Sequence, residues 1–227
     1  MTQLLYKVLT ADMQSPFQEF PYELEREYIC EDFDSNPERD CSRGFYATAI
    51  DGLPYAWNIH RKAFEVKVAG RSVEIDQFKR RYEKITLLRE VPVDELVTEA
   101  QAVEDQVGYR LSEVIQPINP RDISPPETIT AQHRTLLKQW DSVWDSVGAS
   151  VGASVGASVW DSVGAYIGAL FPNISEWKYI DHPVGEYPFQ PAVDLWRQGL
   201  VPSYDGRDGT WRLHGGSAMD VLYAEQR

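Results

Sequence analysis

The chain has 227 residues, 43% of them hydrophobic and 25% charged, an ordinary globular composition that argues against disorder throughout. Its net charge of −13 repels phosphate backbones, so direct nucleic-acid binding is not expected. Two cysteines (Cys30, Cys41) and four scattered histidines without ligand spacing imply neither a disulfide framework nor a metal site, and no cofactor is expected.

The opening "MTQLLYKVLTADMQ" lacks the basic-then-apolar layout of a secretion signal, and no uninterrupted apolar run reaches the ~18 residues of a membrane span. The expectation is a cytoplasmic protein without a membrane partner. Over residues 1–115 the sequence predicts an α+β domain built on a mixed sheet. "LLYKVLT" (4–10), "REYICEDF" (26–33), "GFYATAI" (44–50), "KAFEVKVA" (62–69) and "EKITLLREV" (83–91) are short, aromatic or β-branched, and separated by Pro, Gly, Asp or Asn. Phe64, Val66 and Val68 alternate with Glu65 and Lys67, the pattern of a half-buried strand.

Charge is unevenly placed along this domain. Residues 18–40 hold nine acidic side chains (Glu19, Glu23, Glu25, Glu27, Glu31, Asp32, Asp34, Glu38, Asp40) against Arg26 and Arg39, a local charge of −7; residues 61–90 hold nine basic and five acidic side chains, a local +4. Such polarity either solvates a face or suits a basic surface on another protein. Glu23, Glu25, Glu27, Glu31, Asp32 and Asp34 are therefore candidate binding residues.

Residues 92–115 place Val93, Leu96, Val97, Ala100, Val103, Val107, Leu111 and Val114 near one helical stripe, with Pro92, Asp94 and Glu95 at its start; a single closing helix is predicted. "QPINPRDISPPE" (116–127) has four prolines and reads as an extended linker. A helix restarts after Thr128 or Thr130, either of which can cap it.

From 128 to 171 a four-residue unit, WDSV or GASV, recurs about seven times between Trp140 and Leu170. Only a helix sorts it: Trp140, Val143, Trp144 and Val147 share one side, and Asp141, Ser142, Asp145 and Ser146 the other. Four residues exceed one turn, so each unit advances the apolar stripe by about 40° around the rod. Gly148, Gly152 and Gly156 form a small-residue ridge suited to close backbone approach. With Trp140, Trp144 and Trp160 they are candidate self-association residues, and a homo-oligomer is one outcome. A core helix with a tolerated duplication, or a β-solenoid, are the others.

Residues 172–227 predict a small aromatic-rich β module, with "VPSYDGRDGTWRLHGG" as a hairpin and "AMDVLY" as a last strand. Trp211, Arg212 and His214 are candidate contact residues, and His214 beside Asp205 or Asp208 is a candidate general base.

Two resemblances bear on function. "CSRGFYATAIDGLPYA" (41–56), following "LYKVL", resembles the GxYxT…A element of the ADP-ribosyltransferase superfamily. That resemblance implies a divergent enzyme with Lys7, Tyr46 and Thr48 facing a nicotinamide dinucleotide and Glu90 as its late-strand glutamate. Lys7 stands where the superfamily has Arg or His, and its Ser-Thr-Ser and ExE motifs are absent. As a whole, "YKVLTADMQSPF", "KITLLREVPVDEL", the tetrapeptide repeat and "LWRQGLVPSYDGRDGTWRLHGG" resemble a family of phage and mobile-element proteins to which no activity attaches. This implies a host-cell setting. The leading expectation is a non-enzymatic protein that binds another protein, antagonising a host factor through its acidic surface; the alternatives are the transferase-like enzyme and a virion or particle component.

Overall fold

The computed structural model describes residues 4–148, 155–177 and 182–227, and the chain divides into two units, Met1–Gln116 and Pro117–Arg227. Both helices and antiparallel sheets are present, an α+β chain.

The first unit is organised by a long antiparallel hairpin, β4 (Arg61–Glu74) and β5 (Arg80–Val91). Onto it are added β1 (Tyr6–Thr10) beside β4, and β2 (Glu27–Ile29) and β3 (Phe45–Ala47) beside β5. All five lie where β-branched and aromatic runs predicted them. Tyr6 and Thr48 exchange backbone hydrogen bonds of 2.7 and 3.0 Å, which draws the chain leaving β3 against β1 and curls the sheet. One core cluster gathers Leu9, Ala47, Phe64, Val66, Tyr82, Ile85 and Leu87 from the strands, covered by Tyr22. The other, on the opposite surface of the sheet, carries Tyr6, Val8, Ala63 and Val91. Alternation along β1 thus sends Tyr6 and Val8 one way and Lys7 and Leu9 the other.

The second surface is covered by a 3-10 turn (Ile50–Tyr55) and by α1 (Val93–Gln101), α2 (Glu104–Val107) and α3 (Leu111–Ile115), through Leu53, Leu96, Ala100, Leu111 and Ile115. The single helix predicted over 92–115 is therefore three. Its breaks are local: Val103 leaves helical geometry at φ −115°, and Gly108 takes φ +80°, the left-handed conformation that terminates α2. Glu104 then accepts the Ser112 backbone N–H at 2.8 Å, capping the first turn of α3 with a side chain from the preceding helix.

In the second unit, α4 (Ala131–Gly148), α5 (Val155–Ala169) and α6 (Gln190–Trp196) pack with an antiparallel sheet in the order β6 (Leu200–Asp205), β7 (Thr210–Gly215), β8 (Asp220–Gln226). Thr130 stands directly before α4. Its carbonyl accepts the Arg134 N–H, and its own N–H donates to His133 Nδ1 at 3.0 Å, the returning half of a capping box with histidine in the usual glutamate position. Because Nδ1 accepts, the ring proton sits on Nε2 and is donated to Gln198 Oε1 at 2.9 Å.

The separate linker, rod and tail expected over 116–227 belong to one unit. Leu137, Trp140 and Trp144, on one side of α4, enter a core with Leu195, Leu200, Trp211 and Leu213. On α5, Ser162 is buried and donates to the Pro202 carbonyl. The physical reason is that a bare helix with one tryptophan stripe gains more by covering a small sheet than by standing in water.

Trp140 is 2% exposed and sits edge-on to Phe189. Replacing it by alanine is expected to lower unfolding free energy by about 3–5 kcal/mol, read as a shifted urea midpoint for the transition that reports the second unit.

Candidate functional site

Sequence reasoning nominated Lys7, Tyr46, Thr48 and Glu90 as one group, and the structure gives each a structural partner. Lys7 on β1 is buried, donates from Nζ to the Tyr46 carbonyl at 3.1 Å and lies over the Tyr22 ring at 4.9 Å. The Tyr46 hydroxyl donates to the Ser42 carbonyl and accepts from Arg81, both at 3.1 Å. Thr48 donates its hydroxyl to the Phe78 carbonyl at 2.6 Å. Glu90 is across the sheet: Lys7 pairs with Phe64, which pairs with Glu90, so two strand spacings, roughly 10 Å, separate Lys7 from Glu90. Glu90 is exposed and ion-paired with Lys62 at 2.9 Å.

A cavity of about 190 Å³ lies next to this group, lined by Thr48, Asp51, Asp76, Phe78, Lys79 and Tyr82 among others, but not by Lys7, Tyr46 or Glu90. That is smaller than the ~300–1,000 Å³ of pockets for drug-sized ligands. The structure thus brings Lys7, Tyr46 and Thr48 together as a clasp between β1 and β3, and it leaves Glu90 outside that clasp.

Burial without a carboxylate partner lowers the Lys7 ammonium from 10.5 to about 8. Between those values the unfolded chain binds the extra proton, so stability rises with pH across that interval. From about pH 8 to 9.5 the gain attributable to Lys7 is about 1.5 kcal/mol. Above about pH 10 the trend reverses, because burial raises the Tyr6 and Tyr22 hydroxyls in the folded state. Urea titrations over that range are expected to show the rise in the native protein and to lose it in Lys7→Met.

The acidic stretch has two parts with different electrostatics. At its far end the carboxylates are engaged. Hydrogen bonding to Arg43 lowers the Asp32 carboxyl, hydrogen bonding from Ser42 lowers Asp34, and Lys79 lowers Asp40. Arg81 is fully buried behind them, donating to the Arg39 and Asn36 carbonyls and to Tyr46, so it ties residues 36–46 to β5. Gly44 presses on its side chain at φ +141°, where an added Cβ would lie 2.6 Å from Arg81 Cγ. Near β2 the situation differs. Glu23 pairs with Arg26, while Glu25, Glu27 and Glu31 have no cation within ion-pair distance among the described residues. Exposed apolar side chains alternate with them along the chain: Leu24 at 48% and Ile29 at 52%. Phe20, Tyr22, Tyr28 and Phe45 form one cluster nearby, with Tyr22 edge-to-face against each of the other three.

The C-terminal candidates are committed inside the second unit. Trp211 is 3% exposed and donates from Nε1 to Asp141 at 2.8 Å. Arg212 pairs with Asp205 and Asp208. His214 Nδ1 donates to the Met219 carbonyl at 3.1 Å, so its Nε2 accepts the Ser203 hydroxyl at 2.8 Å. The general base expected beside Asp205 or Asp208 has a serine and a carbonyl as partners instead. Although this resembles a nucleophile and its base, Ser203 has no solvent-accessible surface. The pair therefore braces β6, β7 and the turn into β8.

Of the residues expected on a self-association surface, Trp140 and Trp144 are core, packed against Phe189, Tyr204 and Trp211. Gly152 lies outside the described residues. Gly148, Gly156 and Trp160 are described only as helical backbone.

Sequence reasoning missed Arg81 and Ser203. A basic residue in the run Lys79-Arg80-Arg81 reads as surface, and only its placement on the inward face of β5 buries it. Among the described residues no helix is long and apolar enough to cross a membrane, and no three His, Cys, Asp or Glu side chains form a metal-sized group. No protein-family model, curated protein or solved structure matches the chain.

Proposed function

We propose that this protein acts by binding another protein, with the surface around β2 as its contact face and a basic patch as its target. The observation that carries this reading is the coincidence of Glu25, Glu27 and Glu31, none of them ion-paired among the described residues, with exposed Leu24 and Ile29. Unpaired charge steers a complementary surface at long range and discriminates against acidic partners. Apolar side chains set in the same surface supply area that water leaves on contact. In the phage or mobile-element setting that the sequence pattern implies, the partner is a host protein that the acidic face occupies.

Poly-lysine and its fully acetylated form serve as defined probes. The native protein is expected to bind the first and not the second, with affinity falling as salt rises. The variant Glu25→Lys/Glu27→Lys/Glu31→Lys is expected to weaken binding by about tenfold or more, against about twofold for Glu127→Lys/Glu176→Lys/Glu186→Lys, which changes net charge equally. Equal loss in both variants would reduce the effect to net charge and sink the proposed face.

A further inference from the structure

We infer that the outer edge of β2 is a strand-addition site for an extended basic peptide; this inference rests on the binding face proposed above and specifies how it is used. β2 ends the sheet path β1-β4-β5-β2, so it has β5 on one side only. Cys30 donates its N–H to the Glu83 carbonyl at 2.9 Å, and antiparallel pairs alternate between bonded and non-bonded. Tyr28 therefore also faces β5 with its backbone groups, while the N–H and C=O of Glu27 and Ile29 point outward. Among the described residues no other element pairs with them: the Glu27 and Ile29 side chains are exposed, and neither residue's backbone makes a hydrogen bond outside the β5 ladder. An open edge of this kind pairs with an incoming strand.

Charge selects the occupant. Glu27 and Ile29 project from the same side of the strand, with Glu25 and Glu31 at its two ends. An added strand places one side chain across from Glu27 and another across from Ile29, two residues apart. The fitting peptide has lysine or arginine at the first and an aliphatic residue at the second. A second copy of this chain does not fit, because its own β2 would set glutamates against glutamates.

The test uses the full chain and a fluorescent octapeptide of alternating lysine and valine pairs, Lys-Thr-Val-Thr-Lys-Thr-Val-Thr, in three forms: unmodified, lysine-acetylated, and N-methylated at alternate backbone nitrogens. The first is expected to bind, and acetylation or N-methylation to weaken it by about tenfold or more each. Ile29→Pro removes one outward N–H without touching the β5 ladder or any charge. It is expected to lose peptide binding while retaining poly-lysine binding, and amide exchange at Glu27 and Ile29 is expected to slow when the peptide is added to native protein. If N-methylated and unmodified peptides bind alike while poly-lysine still binds at the acidic face, strand addition is wrong and the binding face stands. If neither peptide nor poly-lysine binds, both fall.

Discussion

Backbone pairing along the β4–β5 hairpin is the constraint on which the first unit depends. Ten pairs from Ala63–Val91 to Glu74–Arg80 fix the register, and every other strand of the unit attaches to one of these two. Because side chains alternate strictly along a strand, fixing that register also fixes which residues face the helices and which face the aromatic cluster. Leu9, Phe64 and Leu87 meet on one side and Val8, Ala63 and Val91 on the other for this reason. Two irregularities in the ladder, after Glu65 and after Ala69, let the long strands bend enough for Tyr6 to reach Thr48.

The two buried cations follow from the same geometry. Lys7 and Arg81 each occupy an inward position on a strand, and among the described residues neither has a carboxylate in hydrogen-bond contact. Carbonyl oxygens and aromatic faces hold them instead. A charge placed this way destabilises the folded state unless the surrounding carbonyls are fixed. Lys7 therefore orders the Tyr46 backbone, and Arg81 orders residues 36–46. This ordering engages the carboxylates at the far end of the acidic stretch, whereas Glu25, Glu27 and Glu31 have no ion-pair partner among the described residues.

In the second unit the organising contact is between α4 and the sheet. Trp144 and Trp211 meet edge to face at 5.7 Å, and Tyr204 lies 5.0 Å from Trp144. Trp211 reaches back to Asp141, which also pairs with Arg227 at 3.0 Å. The WDSV unit is thus used in full at its first copy: tryptophan in the core, aspartate as acceptor for the sheet's tryptophan, and serine bonded to its own helix at Lys138. A tetrapeptide that looks like a device for self-assembly is, over Trp140–Trp144, a device for covering a sheet.

The sequence by itself determined what depends on neighbours a few residues away. The five strand positions of the first unit, the hairpin and last strand of the second, the helix start after Thr130 and the concentration of charge over 18–40 were legible because side-chain period, turn residues and composition are local properties. Even the breaks that split 92–115 into three helices have a local mark in Gly108, though the hydrophobic stripe concealed it. Only the tertiary structure decided which strand ended the sheet, since pairing joins residues far apart and no period encodes it. For the same reason it alone decided that Arg81 and Trp211 are interior, that Ser203 is buried against a half-buried His214, and that Glu25, Glu27 and Glu31 have no ion-pair partner among the described residues beside an open edge. A charge or an indole reads the same in sequence whether its partner is water or protein, and the fold chooses between them by the distant residues it brings alongside.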